Sequence, residues 1–134
     1  MPLVRIDLRR GKAPEYRQAI CDGVYCAMRE TFNVPEEDRF IVINEHSADN
    51  FSFSRNYMDI ARSDDFVLIQ LTVSNTRNLA QKKALYARIV ALLGEKPGLR
   101  PQDVFINIVQ VTTDDWSFGN GVAQYALQAE ARNG

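Results

Sequence analysis

The chain has 134 residues, with 17 acidic and 16 basic side chains and one histidine. That length suits a single domain over residues 1–134, large enough to bury a core without disulfide or metal staples. A formal net charge of −1 gives no bulk attraction for nucleic acid or an anionic membrane, no apolar run reaches membrane-span length, and Met1 to Asp7 carries no signal-peptide pattern, so a cytoplasmic location is expected.

Leu3 to Leu8 alternates, with Val4, Ile6 and Leu8 on one face, and predicts a half-buried strand. Gly11 and Pro14 break it. Pro14 and Glu15 suit a helix N-terminus, and Tyr16, Ala19, Ile20, Gly23, Val24 and Ala27 then recur at helical spacing to about Phe32. Arg39 to Glu45 predicts a second strand. Ser47 to Asp65 is polar and aromatic, and predicts a short hairpin or an irregular loop. Phe66 to Val73 predicts a third strand. Asn78 to about Leu93 predicts a helix, with Asn78 and Gln81 spaced as a capping box. Gly94, Pro97 and Gly98 end it, and Val104 to Val111 predicts a fourth strand. In the tail over 112–134, Asn120-Gly121 is a hairpin signal.

The order repeats. Asp38-Arg39-Phe40-Ile41-Val42-Ile43 echoes Asp103-Val104-Phe105-Ile106-Asn107-Ile108 at an offset of 65 residues. The chain therefore reads as two tandem β-α-β units, 2–46 and 66–111, of α/β (α+β) class. Strands within a unit should be parallel with right-handed crossovers. Antiparallel pairing of the two first strands is the further assumption. It yields a mixed four-stranded sheet with two helices on one face.

That topology gathers chemistry at one sheet edge. Removal of Met1 leaves Pro2 as a secondary amine, and a terminal amine titrates nearer neutrality than any lysine. Pro2 and Asp38 begin the two strands of one parallel unit, so they should lie close together. The end of the third strand carries Asn75, Thr76 and Arg77 just before a helix N-terminus. A guanidinium beside such an end is a good carboxylate site.

These residues resemble the tautomerase superfamily, in the branch similar to malonate semialdehyde decarboxylase. The landmarks are Met1-Pro2-Leu3, Val34-Pro35-Glu36-Glu37-Asp38-Arg39-Phe40, Ser74-Asn75-Thr76-Arg77 and Asp115-Trp116-Ser117-Phe118-Gly119. The resemblance covers nearly the whole chain. It implies that Pro2 is the catalytic amine, that Asp38 holds a proton or orients a water, and that Arg77 grips a substrate carboxylate. Asn75 stands where the decarboxylases carry another arginine, which weakens the case for their reaction. Trp116 and Phe118 match aromatics of the pocket wall, and Tyr125 lies near another wall position. The resemblance also implies a homotrimer with sites near subunit boundaries.

Plainer roles stand beside these. Asp38 is good turn material, Arg77 a solvated charge, and Trp116 and Phe118 packing residues. His46 reads as a satisfied strand-end histidine, and Arg5, Arg9, Arg10 and Lys12 as a solvated face rather than a nucleic-acid site. Cys21 and Cys26 read as buried or half-buried thiols; with one histidine they form no Cys/His site, so no metal and no cofactor is expected. The leading expectation is keto–enol tautomerisation of a small 2-oxo or 3-oxo carboxylic acid by Pro2. The alternatives are a decarboxylase or hydratase with cationic Pro2, and a non-catalytic oligomeric ligand-binding module.

Overall fold

A computed structural model describes residues 2–133. Strand β1 (Pro2–Arg9) leads to helix α1 (Pro14–Phe32) and strand β2 (Ile41–His46). Strand β3 (Val67–Ser74), helix α2 (Leu79–Glu95) and strand β4 (Val104–Val111) repeat that order, and helix α3 (Gln124–Asn133) follows. The sheet order is β2-β1-β3-β4, with both outer pairs parallel and the central β1–β3 pair antiparallel. The assumed central pairing is thus observed. No helix among the described residues is long and apolar enough to cross a membrane.

The alternation in the sequence sets the layers. Val4, Ile6 and Leu8 of β1 stand opposite Leu71, Ile69 and Val67 of β3. All six are buried, against Ile20, Val24 and Met28 of α1 and Leu85, Ile89 and Leu93 of α2. Ile41, Ile43, Val104, Ile106 and Ile108 extend this core along the outer strands. Both helices therefore cover one face. Gly23 lets them approach closely: a Cβ there would meet Leu93 Cδ2 at 2.8 Å. The opposite face is only partly covered in the single chain, by Phe51 and Phe53 of the β2–β3 link near Arg9 and His46, and Val42, Phe105 and Val109 are exposed.

The boundaries follow local chemistry. Pro14 opens α1, and Asn33 closes it in the left-handed conformation at φ 53°. Asn78 caps α2 with both halves of a capping box: its side chain accepts from Gln81 N, and Gln81 Oε1 accepts from Asn78 N, each at 2.9 Å. His46 Nε2 lies 2.6 Å from Asp7 Oδ1, the satisfied strand-end arrangement expected of it.

The link between β2 and β3 takes the irregular of its two expected forms, with short 3₁₀ turns at Ala48–Asn50 and Tyr57–Asp59. Buried Asp103 anchors its far end, accepting from Ser63 N at 2.7 Å and Ser63 Oγ at 2.6 Å. Cys26 is exposed rather than half-buried, because it lies off the apolar stripe of α1. Asn120-Gly121 does turn the chain, at φ 61° and 68°, but it feeds helix α3 instead of a strand. Among the described residues α3 is a third helix beside the two that cover the sheet face.

Asn78→Ala removes the bond that the Asn78 side chain accepts from Gln81 N and leaves the residue 78 N–H to donate to Gln81 Oε1. It should destabilise the fold by about 1 kcal/mol, read as a lower urea midpoint at unchanged slope.

Candidate active site

The mixed sheet brings four chain segments to one edge. β1 and β2 begin there, and β3 and β4 end there. Pro2 is paired with Val73 one residue before the end of β3, and Val4 N donates to Phe40 O at 2.9 Å across the start of β2. Asp38 sits just ahead of β2, its N–H held by Pro35 O at 3.0 Å. Ser74, Thr76 and Arg77 follow from β3 toward the cap of α2.

Two hollows open at this edge. The larger, about 430 Å³, is lined by Asp38, Ser74, Thr76, Arg77 and, from α3, Tyr125, Gln128 and Arg132. The smaller, about 160 Å³, is lined by Pro2, Leu3, Phe40, Trp116, Ser117 and Phe118. They share a wall. Trp116 Nε1 donates to Ser74 Oγ at 3.0 Å, so the indole of one hollow is pinned to a buried hydroxyl of the other. Trp116 stacks on Phe118 at 5.6 Å, and Phe118 meets Tyr125 edge-on at 5.0 Å. Gln124 fixes this corner by accepting from Phe118 N and donating to Gly119 O.

Asp38 is the least satisfied group. Its Oδ1 is buried and has no hydrogen-bond partner among the described residues. Burial holds its carboxyl above the usual carboxylate range, and the positive charge of the amino terminus and then the Arg77 guanidinium only partly oppose this. Burial also raises the Tyr125 hydroxyl, helped by Asp38 and opposed by Arg77. A carboxyl raised by burial, beside a phenol and a cation, is a candidate proton carrier.

Arg77 is well positioned but partly engaged. Its Nη2 donates to Phe32 O at 2.9 Å, at the C-terminus of α1, and Nη1 donates to Thr76 Oγ1 at 3.2 Å. The guanidinium stacks 4.8 Å from the Phe32 ring centroid. These contacts fix its orientation and leave Nε and the remaining N–H bonds for a ligand.

Of the residues singled out from the sequence, Asp38, Arg77 and Tyr125 line the larger hollow, and Pro2, Trp116 and Phe118 the smaller. Asn75 lines neither hollow. Its side chain is exposed, and its N–H joins the ends of β3 and β4 by donating to Val111 O at 2.9 Å. Thr76 lines the larger hollow in its place. Sequence reasoning also missed Phe40, Gln128 and Arg132. The signal for the last two was the spacing of Tyr125, Gln128 and Arg132, which puts them on one helical face.

The raised Asp38 makes a stability prediction. A carboxyl whose folded pKa lies above its unfolded value favours folding at low pH, and that benefit is lost as pH rises through the folded pKa. Asp38→Asn should therefore raise the urea midpoint at pH 7. The gain should shrink as the pH falls below the raised pKa.

Comparison with known proteins places this geometry. Two family models, each described as tautomerase enzyme, match residues 38–119 and residues 2–58. The chain is 38% identical to the probable tautomerase YusQ of Bacillus subtilis (strain 168), over 92% of this chain and 98% of that protein. Its fold is similar to FG41 malonate semialdehyde decarboxylase inhibited by 3-bromopropiolate, at 33% identity and a TM-score of 0.89, over 95% of this chain and 96% of that one. It is also similar to a malonate semialdehyde decarboxylase studied for its decarboxylase and hydratase activities, at 28% identity and a TM-score of 0.88, over 95% of this chain and 98% of that one. The two parallel β-α-β units and these likenesses agree: the chain belongs to the tautomerase family of enzymes, in its malonate semialdehyde decarboxylase-like branch.

Proposed function

We propose that the enzyme catalyses keto–enol tautomerisation of a small 2-oxo or 3-oxo carboxylic acid, with Pro2 as the base once Met1 is removed. The observation that carries this reading is the pairing of the two hollows across one aromatic wall. Pro2 lies among Phe40, Trp116 and Phe118, where a charged amine is poorly solvated. Desolvation lowers an amine's pKa and favours the neutral base.

In this reading Arg77 binds the substrate carboxylate by charge-assisted hydrogen bonds, and Thr76 and Tyr125 offer hydroxyls to the adjacent oxygen. The Pro2 nitrogen accepts the hydroxyl proton of the enol. The resulting ammonium delivers a proton to the neighbouring carbon, so one proton moves from oxygen to carbon and the amine is regenerated. Trp116 and Phe118 keep water from the ammonium during that interval.

The likeness to the two malonate semialdehyde decarboxylases favours a second reading, in which cationic Pro2 and Arg77 stabilise an enolate during decarboxylation or hydration. The exposed Asn75 supplies no second cation to that reaction. A homotrimer is proposed with either reading. It is supported by the incompletely covered sheet face, where Val42, Phe105 and Val109 remain exposed in the single chain.

Pro2→Ala should lower kcat/KM for ketonisation of an aryl enol-pyruvate by roughly 10²–10⁴, the usual range for general acid–base catalysis. An unchanged rate would exclude Pro2 as the base. In the native enzyme kcat/KM should rise with pH through the amine's pKa. A rate that falls through it, with carbon dioxide released from malonate semialdehyde, would establish the second reading instead.

A further inference from the structure

Helix α3 contributes one face to the larger hollow. Tyr125, Gln128 and Arg132 follow at intervals of three and four residues, so all three overlook the same space. The hollow thus holds two guanidiniums, Arg77 from the α2 cap and Arg132 from the end of α3. They differ in how much of their donor capacity is already used. Arg77 donates to Phe32 O and to Thr76 Oγ1. Arg132 makes no hydrogen bond or ion pair among the described residues. The one acidic side chain lining the hollow is Asp38, whose buried Oδ1 points to no donor among them. A hollow with two cations, one of them uncommitted, and one carboxyl has an excess of positive charge. A substrate with a single carboxylate satisfies Arg77 and leaves Arg132 unmatched.

We propose that Arg132 is a specificity-determining residue that binds a second carboxylate, so that the site takes a small 2-oxo diacid in preference to a monoacid. This rests on the proposed function above, in which Arg77 holds the carboxylate next to the reacting carbons. Gln128, one turn before Arg132, offers an amide to the same distal group. A guanidinium suits this task, because its fork matches a carboxylate with two parallel hydrogen bonds.

The test compares two ligands that differ by that group. Dissociation constants for 2-oxoglutarate and 2-oxobutyrate are measured by titration calorimetry at low salt. The proteins are the full native chain and its Arg132→Gln, Arg132→Lys and Arg77→Gln variants. The native enzyme should favour the diacid by about tenfold. Arg132→Gln should abolish that preference and leave the monoacid constant unchanged, and Arg132→Lys should keep part of it. Arg77→Gln should weaken both ligands. Equal affinities in the native enzyme overturn the proposal, as does an Arg132→Gln variant that keeps the preference or weakens both acids alike. If the monoacid still binds through Arg77 in that case, the reading of the site stands and only the role of Arg132 falls. If neither acid binds the native enzyme, both fall together.

Discussion

The antiparallel pairing of β1 with β3 is the constraint on which the site depends. Each β-α-β unit is internally parallel, so its strands begin at one edge and end at the other. Joining two such units head to tail at the centre brings the beginnings of one beside the ends of the other. Pro2 and Asp38 come from beginnings. Ser74, Arg77 and Trp116 come from ends. A parallel central pair would have set Pro2 beside the start of β3 and sent Arg77 to the far edge. The register is equally constrained. A slip of one residue would turn Val4, Ile6 and Leu8 out of the core, and the burial of those three side chains opposes it.

Stability and chemistry pull against each other at Asp38 and cooperate at Arg77. Asp38 carries a desolvated carboxyl with an unpartnered oxygen, a poor arrangement for folding and a useful one for proton handling. Arg77 satisfies a carbonyl at the C-terminus of α1 while facing the hollow. A positive charge at a helix C-terminus is favourable in itself. The same contact locks the guanidinium against Phe32. Under the proposed function, the cation that meets the substrate carboxylate is held by the scaffold rather than by the ligand, which lowers the entropy lost on binding.

Most of the scaffold was legible in the sequence because its signals are local and strong. The alternation in β1, the helical spacing in α1 and the Asn78–Gln81 pair each determine structure within a few residues. The echo between the two second strands revealed the repeat. Helix α3 was not legible. It buries no residue, and Gly119-Asn120-Gly121 ahead of it resembles a strand-joining turn. Tyr125 could be reached only through family resemblance, and Gln128 and Arg132 were missed with the helix. The segment Ser74 to Arg77 lies at the sheet edge expected of it. Which of its side chains turn inward depends on how the chain leaves β3, and that exit exposes Asn75 while Thr76 and Arg77 line the hollow.

The hollow is built from two kinds of wall. Pro2, Ser74 and Arg77 sit on or beside strands whose inner faces are the core, so altering their backbone disturbs the whole fold. The α3 wall is secured by Gln124 and by the edge of Phe118 on Tyr125, and none of its residues belongs to the core. Mutations along α3 can reshape what the hollow accepts at small cost to folding, whereas mutations at the sheet edge cannot. Divergence within such a lineage should therefore preserve the sheet edge and accumulate in the last dozen or so residues. New substrate preferences would arise there by drift long before the reaction type changes.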